Sequence, residues 1–254
     1  MISYVRWISV LMLVVAADAF GAGFIHDETF CVFTPAIPTQ EAGQRFAQQV
    51  HQRAIEYRAE IAREWLGEEL APGTGRTVIN VELSETEDSG LTWAKDHPDR
   101  IFHNVYLTTS ADNAAGSTLR HEIAHTIFAT RFPHPNRLPP WVEEGIACRY
   151  DDGQTKAARV EVISSWIRSR QMPRLRHLLE MPDIASFDDT SYAAGTSLVS
   201  FLVTRGDKQA LLRFAEDGHR SSWDESLRSH YGMRDIDQLQ TQWESWLAAT
   251  GGVE

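Results

Sequence analysis

The stretch that decides the fold is Leu119-Arg120-His121-Glu122-Ile123-Ala124-His125-Thr126-Ile127, inside residues 115–131. Leu119, Ile123 and Ile127 recur every four residues, the period of a helix with one apolar stripe. His121 and His125 stand at i and i+4, so both imidazoles leave the same helix face and can reach one ion. Glu122 follows the first histidine, where a carboxylate leans toward a water on that ion without binding the ion itself. One helix can therefore be a buried scaffold and a metal site together.

Working downstream, residues 133–140 are rich in proline and read as a loop. Then comes Trp141-Val142-Glu143-Glu144-Gly145-Ile146-Ala147, with eighteen residues separating His125 from Glu144. Catalytic zinc takes three protein ligands and keeps a fourth position open, and two histidines with one glutamate is a standard set. Neighbouring helix residues point about 100° apart, so only one of Glu143 and Glu144 can face the ion.

H-E-x-x-H followed after eighteen residues by the glutamate of W-x-x-E-G-x-A resembles the gluzincin zinc metallopeptidases, in the style of the peptidase MA-like family. The resemblance is specific over about residues 100–205 and looser to about 248. It implies a zincin-like α+β fold, one Zn²⁺ per chain on His121, His125 and Glu144, and Glu122 as general base in peptide hydrolysis. It leaves Glu143 as a solvent-facing or supporting acid. It also points to Tyr192, at the start of a later helix, as donor to the oxyanion, with Tyr231 and His219 as weaker choices. Many gluzincins carry an acid four residues past the ligand glutamate; this chain has Cys148 there, which leaves Asp151 or Asp152 for that task. The G-x-M-E-N segment of the aminopeptidases is absent, so a free-amino-terminus specificity is not implied. The alternative is a non-catalytic zincin-fold binding protein, which the intact Glu122 disfavours.

Working upstream, Thr39 can cap a long helix whose apolar positions Ala42, Phe46, Val50, Ala54, Tyr57, Ile61 and Trp65 step by three or four, with Gly67 as its stop. Thr77 to Leu83 alternates as a half-buried strand, and Ile101 to Thr108 is a second. Asp88-Ser89-Gly90 reads as the turn between them. The later strand is the expected edge strand, offering its main chain to an extended substrate. After the loop, residues near 141–149, 155–170, 174–180, 191–204, 207–217, 222–231 and 235–249 read as helices. The architecture expected is α+β: a small N-terminal sheet with the H-E-x-x-H helix in residues 20–131, packed on a mostly helical half in 132–254 as one catalytic domain. His51, His97, His103, His134 and His177 have no partner at ligand spacing and read as surface or locally bonded residues. Trp65, Trp166, Trp223, Trp243 and Trp246 read as core.

Composition sets the outer limits. The 254 residues carry 24 Lys+Arg against 35 Asp+Glu, a net charge of −11, which argues against a nucleic-acid partner. With 43% hydrophobic residues there is enough for a core. Residues 1–19 read as a signal peptide: Arg6, an apolar run from Trp7 to Ala17, and Ala17-Asp18-Ala19 as a cleavage site, with Ala22 as a second choice. The run is too short to span a bilayer, so the mature chain is expected to be exported, periplasmic or secreted, with no membrane span. Cys31 and Cys148 are the only cysteines, and an exported chain leaves both a Cys31–Cys148 bridge and two free thiols open.

Overall fold

The computed structural model describes residues 22–97 and 100–251; the expected leader, residues 1–19, lies outside them. The fold is α+β, with a five-stranded N-terminal sheet and a helical C-terminal half. The chain divides into two compact units. The first is the described part of Met1–Glu60 together with Leu70–Thr126, and the second is Ile61–Glu69 with the described part of Ile127–Glu254.

The first unit contains strands β1 (Ala22–His26), β2 (Phe30–Ala36), β3 (Gly75–Leu83), β4 (Ser89–His97) and β5 (Arg100–Thr109). It also holds most of helix α1 (Gln40–Leu66), the short α2 (Ala111–Ala114) and the first part of α3 (Ser117–Arg131). Helix α1 begins where expected: the Thr39 hydroxyl accepts the Ala42 N–H at 3.1 Å, and Gly67 ends it at φ +81°. Its predicted apolar stripe is buried from Phe46 to Trp65, while Ala42 in the first turn is only half-buried.

The sheet order is β1-β2-β3-β5-β4. β2, β3 and β5 are parallel to one another, while β1 and β4 run antiparallel to their neighbours. β5 is therefore bonded on both sides, which overturns its expected role as the edge strand; that position belongs to β4. The expected turn at Asp88-Ser89-Gly90 is likewise corrected, because Ser89 and Gly90 already pair with Thr108 and Leu107. Leu91 and Trp93, the apolar side chains of β4, sit on the outer face at 59% and 44% exposure. The strand thus buries no apolar row of its own, and hydrogen bonding to β5 along its whole length is what holds it. Trp93 stacks on Tyr106 of β5, with ring centres 4.9 Å apart. The inner face carries the core, including Phe30, Val32, Ile79, Val105 and Leu107.

Asp88 anchors the entry to β4. Its carboxylate accepts from Thr109 Oγ1 and Thr118 Oγ1, both at 2.6 Å, and from Asn113 Nδ2 at 2.8 Å. One exposed carboxylate thereby ties β4 to the end of β5, to α2 and to the first turn of α3.

The second unit is helical: α4 (Pro140–Ala147), a 3-10 turn (Cys148–Tyr150), α5 (Gly153–Ser169), α6 (Leu175–Glu180), α7 (Asp189–Arg205), α8 (Lys208–Arg220), α9 (Trp223–Tyr231) and α10 (Ile236–Thr250). Four of these starts share one device. Asp152, Asp188, Asp207 and Asp235 each turn a carboxylate back onto the free N–H groups of the first turn. Trp141 packs its ring on Phe214 and Trp223; Trp65, Trp166 and Trp243 are buried as expected, whereas Trp223 and Trp246 are only half-buried. No helix among the described residues is long and apolar enough to cross a membrane.

Cys31 and Cys148 are both free and buried, so the bridge left open by the sequence is not formed. Cys31 lies within the sheet of the first unit and Cys148 caps α4 in the second. Burial pushes the Cys31 thiol above its ordinary value, with Arg76 opposing.

Glu64 joins several parts of the second unit. It accepts from Lys208 Nζ at 2.8 Å and from the Tyr150 hydroxyl at 2.7 Å, and that hydroxyl accepts the Trp65 indole N–H. Burial pushes the Glu64 carboxyl up, but the Lys208 and Tyr150 hydrogen bonds outweigh it and hold it below the ordinary 4.5. Glu64 therefore adds stability that is complete above pH 4.5 and fades as pH falls through its lowered folded-state value. Glu64→Gln is expected to lower Tm at pH 7, and the gap to the parent protein should narrow as pH falls below 4.5 in a series of thermal melts.

Candidate functional site

In the first unit, α3 presents His121 and His125 from one face, each half-buried. Their Nε2 atoms stand 3.2 Å apart. Two nitrogens each about 2.0–2.1 Å from one tetrahedral zinc stand about 3.3 Å apart, so the pair has the separation such an ion requires. The stripe expected to face the core does so: Leu119, Ile123 and Ile127 are fully buried.

Glu122 is 4% exposed. A buried carboxylate needs a donor, and strand β4 supplies it: Thr92 Oγ1 donates to Glu122 Oε2 at 2.5 Å. Two residues earlier on the same face of the pleat, Gly90 presents bare backbone to the other oxygen. A Cβ there would lie 2.3 Å from Glu122 Oε1, so only glycine lets the strand come this close. Neither Gly90 nor Thr92 is marked in the sequence, because their segment lacks an inward apolar alternation and thirty residues separate Thr92 from Glu122.

In the second unit, α4 opens with Pro140 behind Pro139 at the N-cap, a position where the missing N–H costs nothing. Glu143 and Glu144 are both half-buried, so Glu143 is not turned out to solvent as the resemblance allowed. The glycine of the E-G-x-A segment has a packing reason. A Cβ on Gly145 would meet Gly195 O at 2.6 Å, and one on Gly195 would meet Trp141 O at 2.9 Å. Helices α4 and α7 thus cross backbone to backbone.

Tyr192 lies on the same side of α7 as Gly195 and is half-buried. The Arg159 guanidinium carbon is 5.9 Å from its ring centre, and Arg159 Nη1 pairs with Asp151 Oδ2 at 2.6 Å. Burial works against the Arg159 charge, but Cys148, Asp151 and Tyr192 nearby outweigh it and hold the guanidinium protonated. Of the two acids offered in place of Cys148, Asp152 is committed as the α5 cap, which leaves Asp151 with Arg159. Tyr231 packs on Phe214 in the core, and burial raises its phenol well above the ordinary value; His219 is exposed on α8. His103 is buried against Thr77 Oγ1 at 3.1 Å, His51 faces Asp27, and His97, His134 and His177 are exposed.

In the first unit, His121 and His125 carry the imidazole donor chemistry of a metal site on one helix face. A helix presenting paired imidazoles with a buried adjoining glutamate, above a small sheet and followed by helices, defines a metallopeptidase-type fold. The sequence model of the peptidase MA superfamily matches residues 102–249, more than half of the chain, and the chain belongs to that superfamily. No curated protein matches it.

Gly145→Ala is expected to force α4 and α7 apart and to cost about 1–3 kcal/mol in urea unfolding. Gly153→Ala, where an added Cβ meets nothing within 4 Å, is the matched control and should stay within about 0.5 kcal/mol.

Proposed function

We propose that this chain is an exported, single-zinc metallopeptidase, periplasmic or secreted, that hydrolyses peptide bonds in a peptide or protein substrate. The observation that carries the reading is the 3.2 Å approach of His121 and His125 Nε2 beside a buried, donor-held Glu122. A module that only held a metal would have no use for that carboxylate.

His121, His125 and Glu144 would hold the ion. When bound, zinc supplies Lewis-acid polarisation and an acidified water. Glu122 takes the proton of the attacking water and returns it to the departing amine. Its Oε2 is occupied by Thr92, so Oε1 is the oxygen that receives the proton. Tyr192 donates its phenolic proton to the developing oxyanion, with Arg159 over its ring. The outer edge of β4 offers backbone N–H and C=O groups to an extended substrate.

Protein purified without chelators or a His-tag is expected to carry about one zinc per chain. His125→Ala should lose the metal. Glu122→Gln should keep it while turnover on a fluorogenic peptide library falls by about 10²- to 10⁴-fold. Metal-free parent protein, or full activity in Glu122→Gln, would overturn the reading. Tyr192→Phe should leave zinc and KM in place and lower kcat by about 10²- to 10³-fold, as loss of one oxyanion donor does elsewhere.

A further inference from the structure

We infer that Thr92 is a positioning residue for the reaction, and that Gly90 and Thr92 together form a seat on β4 that fixes the carboxylate of Glu122. The inference rests on the peptidase reading and assigns a role to residues outside the H-E-x-x-H and E-G-x-A segments.

The seat is built from alternate positions of one strand. Residues 90 and 92 share the inner face of β4, two apart on the pleat. On the helix, Thr118 and Glu122 stand one turn apart. Asp88 takes Thr118 and Thr92 takes Glu122, so strand and helix are joined at two successive levels. Between them Gly90 leaves the gap that the Glu122 carboxylate fills, and a Cβ there would also lie 2.7 Å from its Cδ and Cγ.

Each contact constrains a different freedom. The Thr92 hydroxyl has one proton to give. Given to Oε2 at 2.5 Å it fixes the rotation of the carboxylate about its terminal bond. The Gly90 backbone limits where the side chain can swing, because Glu122 lies against it with no side chain between. Oε1 is then left in one position to receive a proton. A base so held needs no reorganisation when the reaction begins, and misplacing a reacting group by about 1 Å can cost 10²-fold. Thr92 itself neither accepts nor delivers the proton; it acts through Glu122.

The test uses the zinc-loaded full-length mature protein and three substitutions. Thr92→Val keeps the shape and strand preference of threonine but removes the donor. Thr92→Ser keeps the donor. Thr92→Val is also combined with Glu122→Gln. Thr92→Val is expected to bind zinc as the parent does, to keep its KM within about twofold, and to lose about 10- to 100-fold in kcat. Thr92→Ser should recover most of that loss. In the Glu122→Gln background, Thr92→Val should have no further effect, since a residue acting only through Glu122 has nothing left to position. Thr92→Val with kcat within twofold of the parent overturns the assignment. So does an undiminished penalty in the double variant, or a loss that Thr92→Ser does not recover. An inactive parent protein is seen in the first arm; it removes the peptidase reading and this role together, whereas an active parent with an active Thr92→Val removes this role alone. Gly90→Ala gives a second approach. It should lower kcat with zinc retained, and parent-like turnover in a folded Gly90→Ala protein would refute the seat.

Discussion

A carboxylate taken out of water must be given a donor to replace the hydrogen bonds it loses. Much of this protein's first unit can be understood from that constraint at Glu122. The glutamate is carried on the helix between two imidazoles in the sequence, and its burial is nearly complete. The donor comes from the edge strand, which comes close enough only because one of its residues has no side chain. The Asp88 contacts that bring the strand to the helix belong to the same arrangement. Sheet order, hairpin and helix entry all converge on one polar side chain.

The second unit solves a different problem by similar means. Glu144 lies on a helix of only two turns, which has little packing surface with which to fix its direction. Its neighbour Gly145 lets the helix backbone rest directly on α7, and Gly195 receives it there. Helix direction is then set by main-chain contact, which is stiffer than contact through long side chains. Trp141, against Phe214 and Trp223, anchors the other side of the same short helix.

How much of this could be read in the sequence depends on the range of the interaction. Helices announce themselves locally: the α1 stripe, the Thr39 cap and the Gly67 stop needed only neighbouring residues, and the C-terminal helices begin and end within a few residues of where their period and glycines put them. The paired histidines were legible because their partnership is internal to one helix. Strand β4 was not, since its apolar residues face outward and its inner positions are a glycine and a threonine. What stabilises it is a ladder to β5, which leaves no pattern in the strand itself. Gly90 and Thr92 were hidden with it. The same reasoning covers the cysteines: a pair of thiols in the sequence carries no distance, and only the folded positions show that they remain free.

The pleat of β4 gives the outward Trp93–Tyr106 stack a further meaning. Side chains alternate strictly along a strand, so sliding β4 by one residue against β5 would exchange its two faces. Leu91 and Trp93 would then face the helix where Gly90 and Thr92 now stand, with bulk where the glutamate needs room. A molecule with that slip could keep its helices, its solubility and both imidazoles, and would still have an obstructed carboxylate. The pairing register of β4 on β5 thus decides which side chains meet Glu122, a property distinct from whether the chain is folded. The aromatic stack favours the observed register by setting Trp93 diagonally on Tyr106, whose direct partner across the ladder is Leu91.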